Sequence, residues 1–160
     1  MIYLEKEKMD NNISLIIDGH KITVKTGTSI LDAAKKVNLK IPTLCHHEDL
    51  CVAGNCRICV VEQVGKSTLT ASCATPVEEG MVILTSSPKI RRARKDLMAL
   101  LISEHNTQCT TCFRSNNCEL QTLSAEYNVD NAIYLSVLKK HDSDLDRSSW
   151  SVEKDNSKCI

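Results

Sequence analysis

The chain has 160 residues, in which 20 Lys and Arg balance 20 Asp and Glu and aromatic residues make up only 3%. This length predicts one domain or two small ones, and the lack of a basic excess argues against nucleic acid as a partner. No apolar stretch approaches the roughly 18 residues of a membrane span, and residues 1–12 lack the apolar region of a secretory signal, so we expect a cytoplasmic protein without direct membrane insertion.

The first half of the chain reads as a small sheet with one helix. After a polar N-terminal extension over residues 1–12, alternating apolar residues flank Asp18-Gly19, which is a strong signal for a β-hairpin. Apolar residues at helical spacing follow over residues 29–37, with Ser29 as the N-cap. Three further strands are predicted, over residues 58–64, 68–72 and 81–85. This order predicts a mixed α+β sheet over residues 13–86.

The second half begins with a longer helix. Ser87 suits an N-cap and Pro88 suits the first helical position, so we expect a helix over residues 88–104. Its expected apolar stripe consists of Ile90, Ala93, Leu97, Leu100 and Leu101. Its basic residues are expected to form a solvated face; they are Lys89, Arg91, Arg92, Arg94 and Lys95.

A polar loop over residues 105–117 separates this helix from a second, short one, which is predicted over residues 118–127. The two helices and the loop form a second module over residues 87–128. The remaining tail, residues 129–160, turns polar after about residue 139 and has no evident core of its own. We therefore expect the tail to dock on a partner, with Trp150 as the anchor.

Nine cysteines in a chain without a visible export signal point to metal or redox chemistry rather than to disulfides. The first group holds five: Cys45, Cys51, Cys56, Cys59 and Cys73. The C-x-x-C pair, Cys56 and Cys59, lies in a loop that leads into a strand. This position argues against a thioredoxin-like site and favours four thiolates around one centre. The Cys51-x4-Cys56-x2-Cys59 spacing is that of plant-type ferredoxins. The other choice of ligands is Cys45, Cys56, Cys59 and Cys73. Spacing alone does not decide between these two ligand sets.

The second group is His105-x3-Cys109-x2-Cys112-x5-Cys118, which lies in the polar loop between the two predicted helices. Three thiolates and one imidazole suit a [4Fe–4S] cluster or a zinc site. Outside these groups, His46 and His47 are expected to be ordinary surface histidines. Cys159 is either an unpaired thiol or the first ligand of a site that this chain does not contain.

Three stretches of sequence resemble one family: Pro42 to Glu48, Gly54 to Glu62, and Cys73 to Met81. The family is the N-terminal region of the large iron–sulfur subunit of complex I. Relatives occur in NAD(P)-linked [FeFe] hydrogenases, NAD-dependent formate dehydrogenases and electron-bifurcating transhydrogenases. Residues 87–94 and 105–121 resemble the next module of the same family, so the resemblance covers roughly residues 13–127.

The resemblance implies a β-grasp [2Fe–2S] ferredoxin domain followed by a small helical [4Fe–4S] module. By motif position it implies that Cys45, Cys56, Cys59 and Cys73 bind the [2Fe–2S] cluster, which makes Cys51 an extra thiol. It also implies that one histidine and three cysteines bind the [4Fe–4S] cluster, namely His105, Cys109, Cys112 and Cys118.

The resemblance further implies an electron-transfer subunit that exchanges single electrons with a flavin- and NAD(H)-binding subunit and with a further redox subunit. No catalytic site is expected, and the sequence contains no G-x-G-x-x-G or G-x-x-x-x-G-K-[ST] fingerprint for a nucleotide. The alternative hypothesis is a zinc-stabilised interaction module without a redox role, because both groups could hold Zn²⁺ tetrahedrally.

Overall fold

The computed structural model describes residues 12–105, 107–129 and 145–156. Most of the predicted N-terminal extension and Cys159 therefore lie outside the described residues. The strands are β1 (Asn12–Ile17), β2 (His20–Lys25), β3 (Val60–Gln63), β4 (Leu69–Ala71), β5 (Val82–Leu84), β6 (Leu145–Asp146) and β7 (Lys154–Asp155). The helices are α1 (Ile30–Lys36), α2 (Pro88–Glu104) and α3 (Glu119–Glu126).

The predicted hairpin is confirmed as the pair β1–β2. Its two turn residues, Asp18 and Gly19, both have positive φ, 45° and 83°. A two-residue turn of this kind matches the right-handed twist of the strands that it joins. The Asp18 carboxylate also accepts hydrogen bonds from the backbone N–H and the hydroxyl of Thr85, which ties the turn to the end of β5.

The first five strands form one mixed sheet in the order β2-β1-β5-β3-β4, in which β1 and β5 are parallel and the other neighbours are antiparallel. Helix α1 starts at its predicted N-cap, where the Ser29 hydroxyl accepts a hydrogen bond from the Asp32 N–H at 3.0 Å. The helix buries four apolar residues, Ile30, Leu31, Ala33 and Ala34, in the same core as the inner face of the sheet. The predicted mixed α+β sheet is thus confirmed.

Helix α2 has its predicted bounds and N-cap, since the Ser87 hydroxyl accepts a hydrogen bond from the Ile90 N–H at 3.2 Å. The predicted apolar stripe is wrong at Leu100, which is 48% exposed. The prediction of a solvated basic face is wrong at Arg94, which is only 5% exposed. The buried face is a row of residues at i, i+4 spacing that includes Arg94, Met98 and Ile102, because β3 and α3 pack on that side of the helix.

Helices α2 and α3 build a second core with the loop that precedes β3. Its buried members are Cys56, Ile58, Met98, Ile102, Leu120 and Leu123, and Leu44, Cys45 and Cys118 are among the partly buried residues that pack against them. Cysteines from both groups thus meet in this second core.

The described part of the tail, residues 145–156, contains a short antiparallel pair, β6–β7, and none of its residues is buried. Trp150 is fully exposed between the two strands. Within the described residues, no helix is long and apolar enough to cross a membrane.

Candidate metal centres

Four thiols of the first cysteine group lie together as two pairs. The Cys59 and Cys73 sulfurs are 3.3 Å apart and both are buried. The Cys56 thiol hydrogen-bonds the sulfur of Cys45, which is half-buried. Cys73 also lies within electrostatic range of the three other thiols. The two pairs therefore form one group of four sulfurs at the edge of the first core.

Strand pairing explains how residues so far apart in sequence meet. Cys59 directly precedes β3, and Cys73 is separated from the end of β4 by one residue, Ser72. The antiparallel register pairs Val60 with Ala71, which brings the two cysteines side by side. The Ser72 N–H and hydroxyl both donate to the Cys59 carbonyl, at 3.2 Å and 2.8 Å, and hold this geometry.

The surroundings of three of these thiols shift their pKa values. Burial, together with the hydrogen bond and the charge of Cys59, raises the pKa of the Cys73 thiol from its ordinary value of 9.0 to about 12. Burial also raises the pKa of Cys56. Burial opposes ionisation of Cys45, but hydrogen bonds from the backbone and thiol of Cys56 and from the backbone of Asn55 outweigh it, so the pKa of Cys45 is lowered.

Backbone N–H groups directed at sulfur are the partners that iron–sulfur clusters require. The sulfur of Cys45 receives them from Asn55 and Cys56, and the sulfur of Cys56 receives them from Leu44 and Ile58. Gly54, immediately before this loop segment, has a positive φ of 64°. Thiolates and amide donors of this kind fit a [2Fe–2S] cluster, which would replace the thiol protons.

Cys51 is the member of the group that stands apart. It is exposed in the loop between Cys45 and Cys56, next to Leu50 and Val52, which are 69% and 50% exposed. His47 is exposed as expected and accepts a hydrogen bond from the Asp49 N–H at 3.2 Å. The prediction is wrong for His46, because both of its ring nitrogens are buried without a hydrogen-bond partner in the described part of the chain.

The second group is arranged around the break between two helices. His105 is the C-cap of α2, and Cys118 is the N-cap of α3. Between them, Cys109 begins a single 3₁₀ turn that Cys112 closes with an N–H···O bond of 3.2 Å.

The surroundings of this second group also fit a bound cluster. The His105 Nδ1 atom is buried and has no partner among the described residues. Cys109 and Cys118 line a pocket of about 320 Å³ together with Ile102 and Leu120 from the second core. One imidazole and three thiols suit the donor set of a [4Fe–4S] centre, but only Cys109 and Cys118 of the four line this pocket. Across the residues that the structure describes, no three His, Cys, Asp or Glu side chains converge on a single metal-ion position.

Sequence reasoning did not find Arg94. Its guanidinium donates from Nη2 to the Val60 carbonyl at 2.8 Å and from Nη1 to the Tyr127 hydroxyl at 3.2 Å. It thereby links α2 to the strand that follows Cys59 and to the end of α3. The available signal was its spacing of four residues from both Ile90 and Met98, which places it on the same helix face.

Two known families match consecutive parts of the chain. Residues 10–88 match the 2Fe-2S iron-sulfur cluster binding domain, and residues 94–132 match the NADH-ubiquinone oxidoreductase-G iron-sulfur binding region. The first part of the chain is therefore a [2Fe–2S] cluster-binding domain, and the second is a [4Fe–4S] binding region.

Individual relatives are similar over most of this chain. The NADP-reducing hydrogenase subunit HndD of Solidesulfovibrio fructosivorans is 40% identical over 92% of the chain and 26% of its own length. The mitochondrial NADH-ubiquinone oxidoreductase 78 kDa subunit of Candida albicans is 34% identical over 92% of the chain and 21% of its own length. The NADH-ubiquinone oxidoreductase 75 kDa subunit of Reclinomonas americana is 38% identical over 74% of the chain and 17% of its own length. The chain thus spans about a quarter or less of these curated relatives.

A solved structure has the same fold. A chain in the crystal structure of NAD+-reducing [NiFe]-hydrogenase in the H2-reduced state superimposes with a TM-score of 0.73 at 30% sequence identity. The match covers 85% of this chain and 56% of that one.

Proposed function

The chain belongs to the family of N-terminal [2Fe–2S] and [4Fe–4S] regions that is shared by the large iron–sulfur subunit of complex I and the hydrogenase subunit HndD, and from this we propose that it relays single electrons in an NAD(P)-linked oxidoreductase. The observation that carries the proposal is the group of four thiols, in two pairs, with backbone N–H groups directed at the sulfurs of Cys45 and Cys56. A cluster bound there supplies a one-electron redox centre, and the chain itself supplies its ligands and its insulation from water.

The [2Fe–2S] ligands that we propose are Cys45, Cys56, Cys59 and Cys73. The pairing supports one iron between Cys45 and Cys56 and the other between Cys59 and Cys73, because each iron of such a cluster takes two protein ligands. The fold that holds them, a mixed sheet crossed by one helix, fits a β-grasp ferredoxin domain over residues 13–86. Cys51 is then a non-ligating thiol on the surface.

The [4Fe–4S] ligands that we propose are His105, Cys109, Cys112 and Cys118, within a helical module over residues 87–128. The unpartnered Nδ1 atom of His105 and the pocket beside Cys109 and Cys118 support this set. Because Cys45, Cys56 and Cys118 all contact the second core, the chain holds its two centres at a fixed separation across apolar side chains. A fixed, dry separation of this kind is what an electron relay needs.

We further propose that the chain works beside a flavin- and NAD(H)-binding subunit and a further redox subunit. The relatives support this, since they are subunits of an NADP-reducing hydrogenase and of NADH-ubiquinone oxidoreductases. The tail, residues 129–160, would supply part of the contact, with the fully exposed Trp150 as its anchor.

The first test is the metal content of the full chain purified without oxygen. One [2Fe–2S] and one [4Fe–4S] cluster correspond to about six iron and about six acid-labile sulfide per chain, with two distinct EPR signals after dithionite reduction. Zinc without sulfide would overturn the proposal and favour the zinc-stabilised interaction module without a redox role.

A matched pair of variants then tests the ligand set. Cys45→Ser should abolish the [2Fe–2S] signal and lower the iron content to about four per chain. Cys51→Ser, six residues away in the same loop, should leave both signals and the full iron content unchanged, because its thiol is exposed and outside the group of four. The opposite result would assign Cys51 as the ligand.

A further inference from the structure

Arg94 is the one buried charged side chain among the described residues, with 5% of its surface exposed. In the same part of the chain, no carboxylate lies within 4.0 Å of its guanidinium. Its Nε atom is also buried and has no hydrogen-bond partner among the residues that the structure describes. Arginine keeps its charge in proteins, and a buried ion without a counter-charge is strongly destabilising. A negative charge that the described residues do not provide would explain why this cation is buried here.

The position of Arg94 indicates where that negative charge lies. Its Nη2 donates to the carbonyl of Val60, the residue directly after Cys59, at 2.8 Å. Its Nη1 donates to Tyr127, which caps the C-terminal end of the helix that Cys118 begins. A cluster held by four thiolates carries net negative charge, and reduction adds one more. At low dielectric, a nearby buried cation stabilises the more negative state most.

We propose that Arg94 is the internal counter-charge of the [2Fe–2S] centre and raises its reduction potential, while its fork of two hydrogen bonds positions the second module against the first. This inference rests on the proposed function, because it requires a cluster at Cys59. It assigns Arg94 a part in electron transfer that differs from that of its solvated neighbours on α2, such as Arg92.

Three variants and one control separate charge from hydrogen bonding. Arg94→Gln removes the charge, Arg94→Lys keeps the charge and changes the fork, and Tyr127→Phe removes one acceptor and keeps the guanidinium. Arg92→Gln removes an exposed charge from the same helix and serves as the control. The readout is the midpoint potential of the [2Fe–2S] EPR signal in an anaerobic redox titration of the full chain, with iron and sulfide determined on each sample.

Arg94→Gln should lower the equilibrium constant for reduction at least tenfold, which is about 59 mV for a one-electron couple. Arg94→Lys, Tyr127→Phe and Arg92→Gln should stay within about twofold of the wild-type constant, since each keeps the buried charge. An unchanged potential in Arg94→Gln, or an equal shift in Tyr127→Phe, would overturn the proposal.

If Arg94→Gln does not take up its [2Fe–2S] cluster, Arg94→Lys decides. Uptake with a wild-type potential in the lysine variant supports the charge, because lysine keeps the charge and lacks the planar fork of the guanidinium. Failure of both variants would show that the fork is purely structural and would overturn the proposal. A wild-type chain without sulfide would instead be a failure of the proposed function, so the two failures are distinguishable.

Discussion

Replacing Met98 by alanine tests whether one core holds both metal-binding modules. Met98 lies on α2, is fully buried, and belongs to the second core, against which cysteines of both groups pack. Truncation of a buried methionine to alanine costs about 2–5 kcal/mol, because apolar burial is lost and a cavity remains. For a chain of this size, about 3 kcal/mol corresponds to a decrease in the melting temperature of about 6–12 °C.

The control is Leu100→Ala, two residues further along the same helix. Leu100 is 48% exposed, so its truncation should cost only about 1 kcal/mol. The assay follows thermal unfolding by far-ultraviolet circular dichroism and by the visible absorbance of the clusters. Met98→Ala should shift both curves together. Equal losses in the two variants, or a loss of helix signal with unchanged cluster absorbance, would refute the assignment of a shared second core.

Three further outcomes are expected. In cluster-free protein under reducing conditions, the folded state holds the Cys73 proton above pH 9.0 while the unfolded state releases it, so this thiol should lower the stability by at most about 1.4 kcal/mol per pH unit as the pH rises toward about 12. Denaturant titrations at several pH values would measure the slope, and Cys73→Ser should make it shallower without abolishing it, because the pKa of Cys56 is raised as well. His105→Cys should retain the [4Fe–4S] cluster and lower its potential in a redox titration, because a thiolate replaces a neutral imidazole; an unchanged potential would mean that His105 does not bind iron. Ser87→Ala should lower the free energy of unfolding by about 1 kcal/mol through loss of the α2 N-cap, whereas the exposed Ser86→Ala should be nearly neutral in the same denaturation assay.

The arrangement of the two cores bears on the proposed relay. The first core stabilises the sheet and α1 and contains Cys59 and Cys73, whereas the second contacts Cys45, Cys56 and Cys118. The proposed [2Fe–2S] site therefore lies at the boundary of the two cores. A change in the packing of α2, which carries both Met98 and Arg94, would therefore alter the surroundings of both proposed centres.

Local interactions let the sequence alone determine much of this protein. Asp18-Gly19 specifies its hairpin because few residue pairs tolerate two positive φ values in succession. Ser29 and Ser87 specify the starts of two helices because each hydroxyl caps N–H groups within three residues of itself. The presence of two cysteine-rich groups, and hence of metal chemistry, likewise follows from composition and spacing.

Only the tertiary structure decided which side chains meet. Cys45 and Cys51 both precede Cys56 in one loop, and their distances along the chain do not determine their distances in space. The fold places the half-buried Cys45 beside Cys56 and exposes Cys51. The buried face of α2 was equally undetermined, because a charged residue at apolar spacing can point either way. Arg94 faces inward because β3 and α3 offer it a carbonyl and a hydroxyl, and such acceptors, far apart in sequence, exist only once the chain has folded.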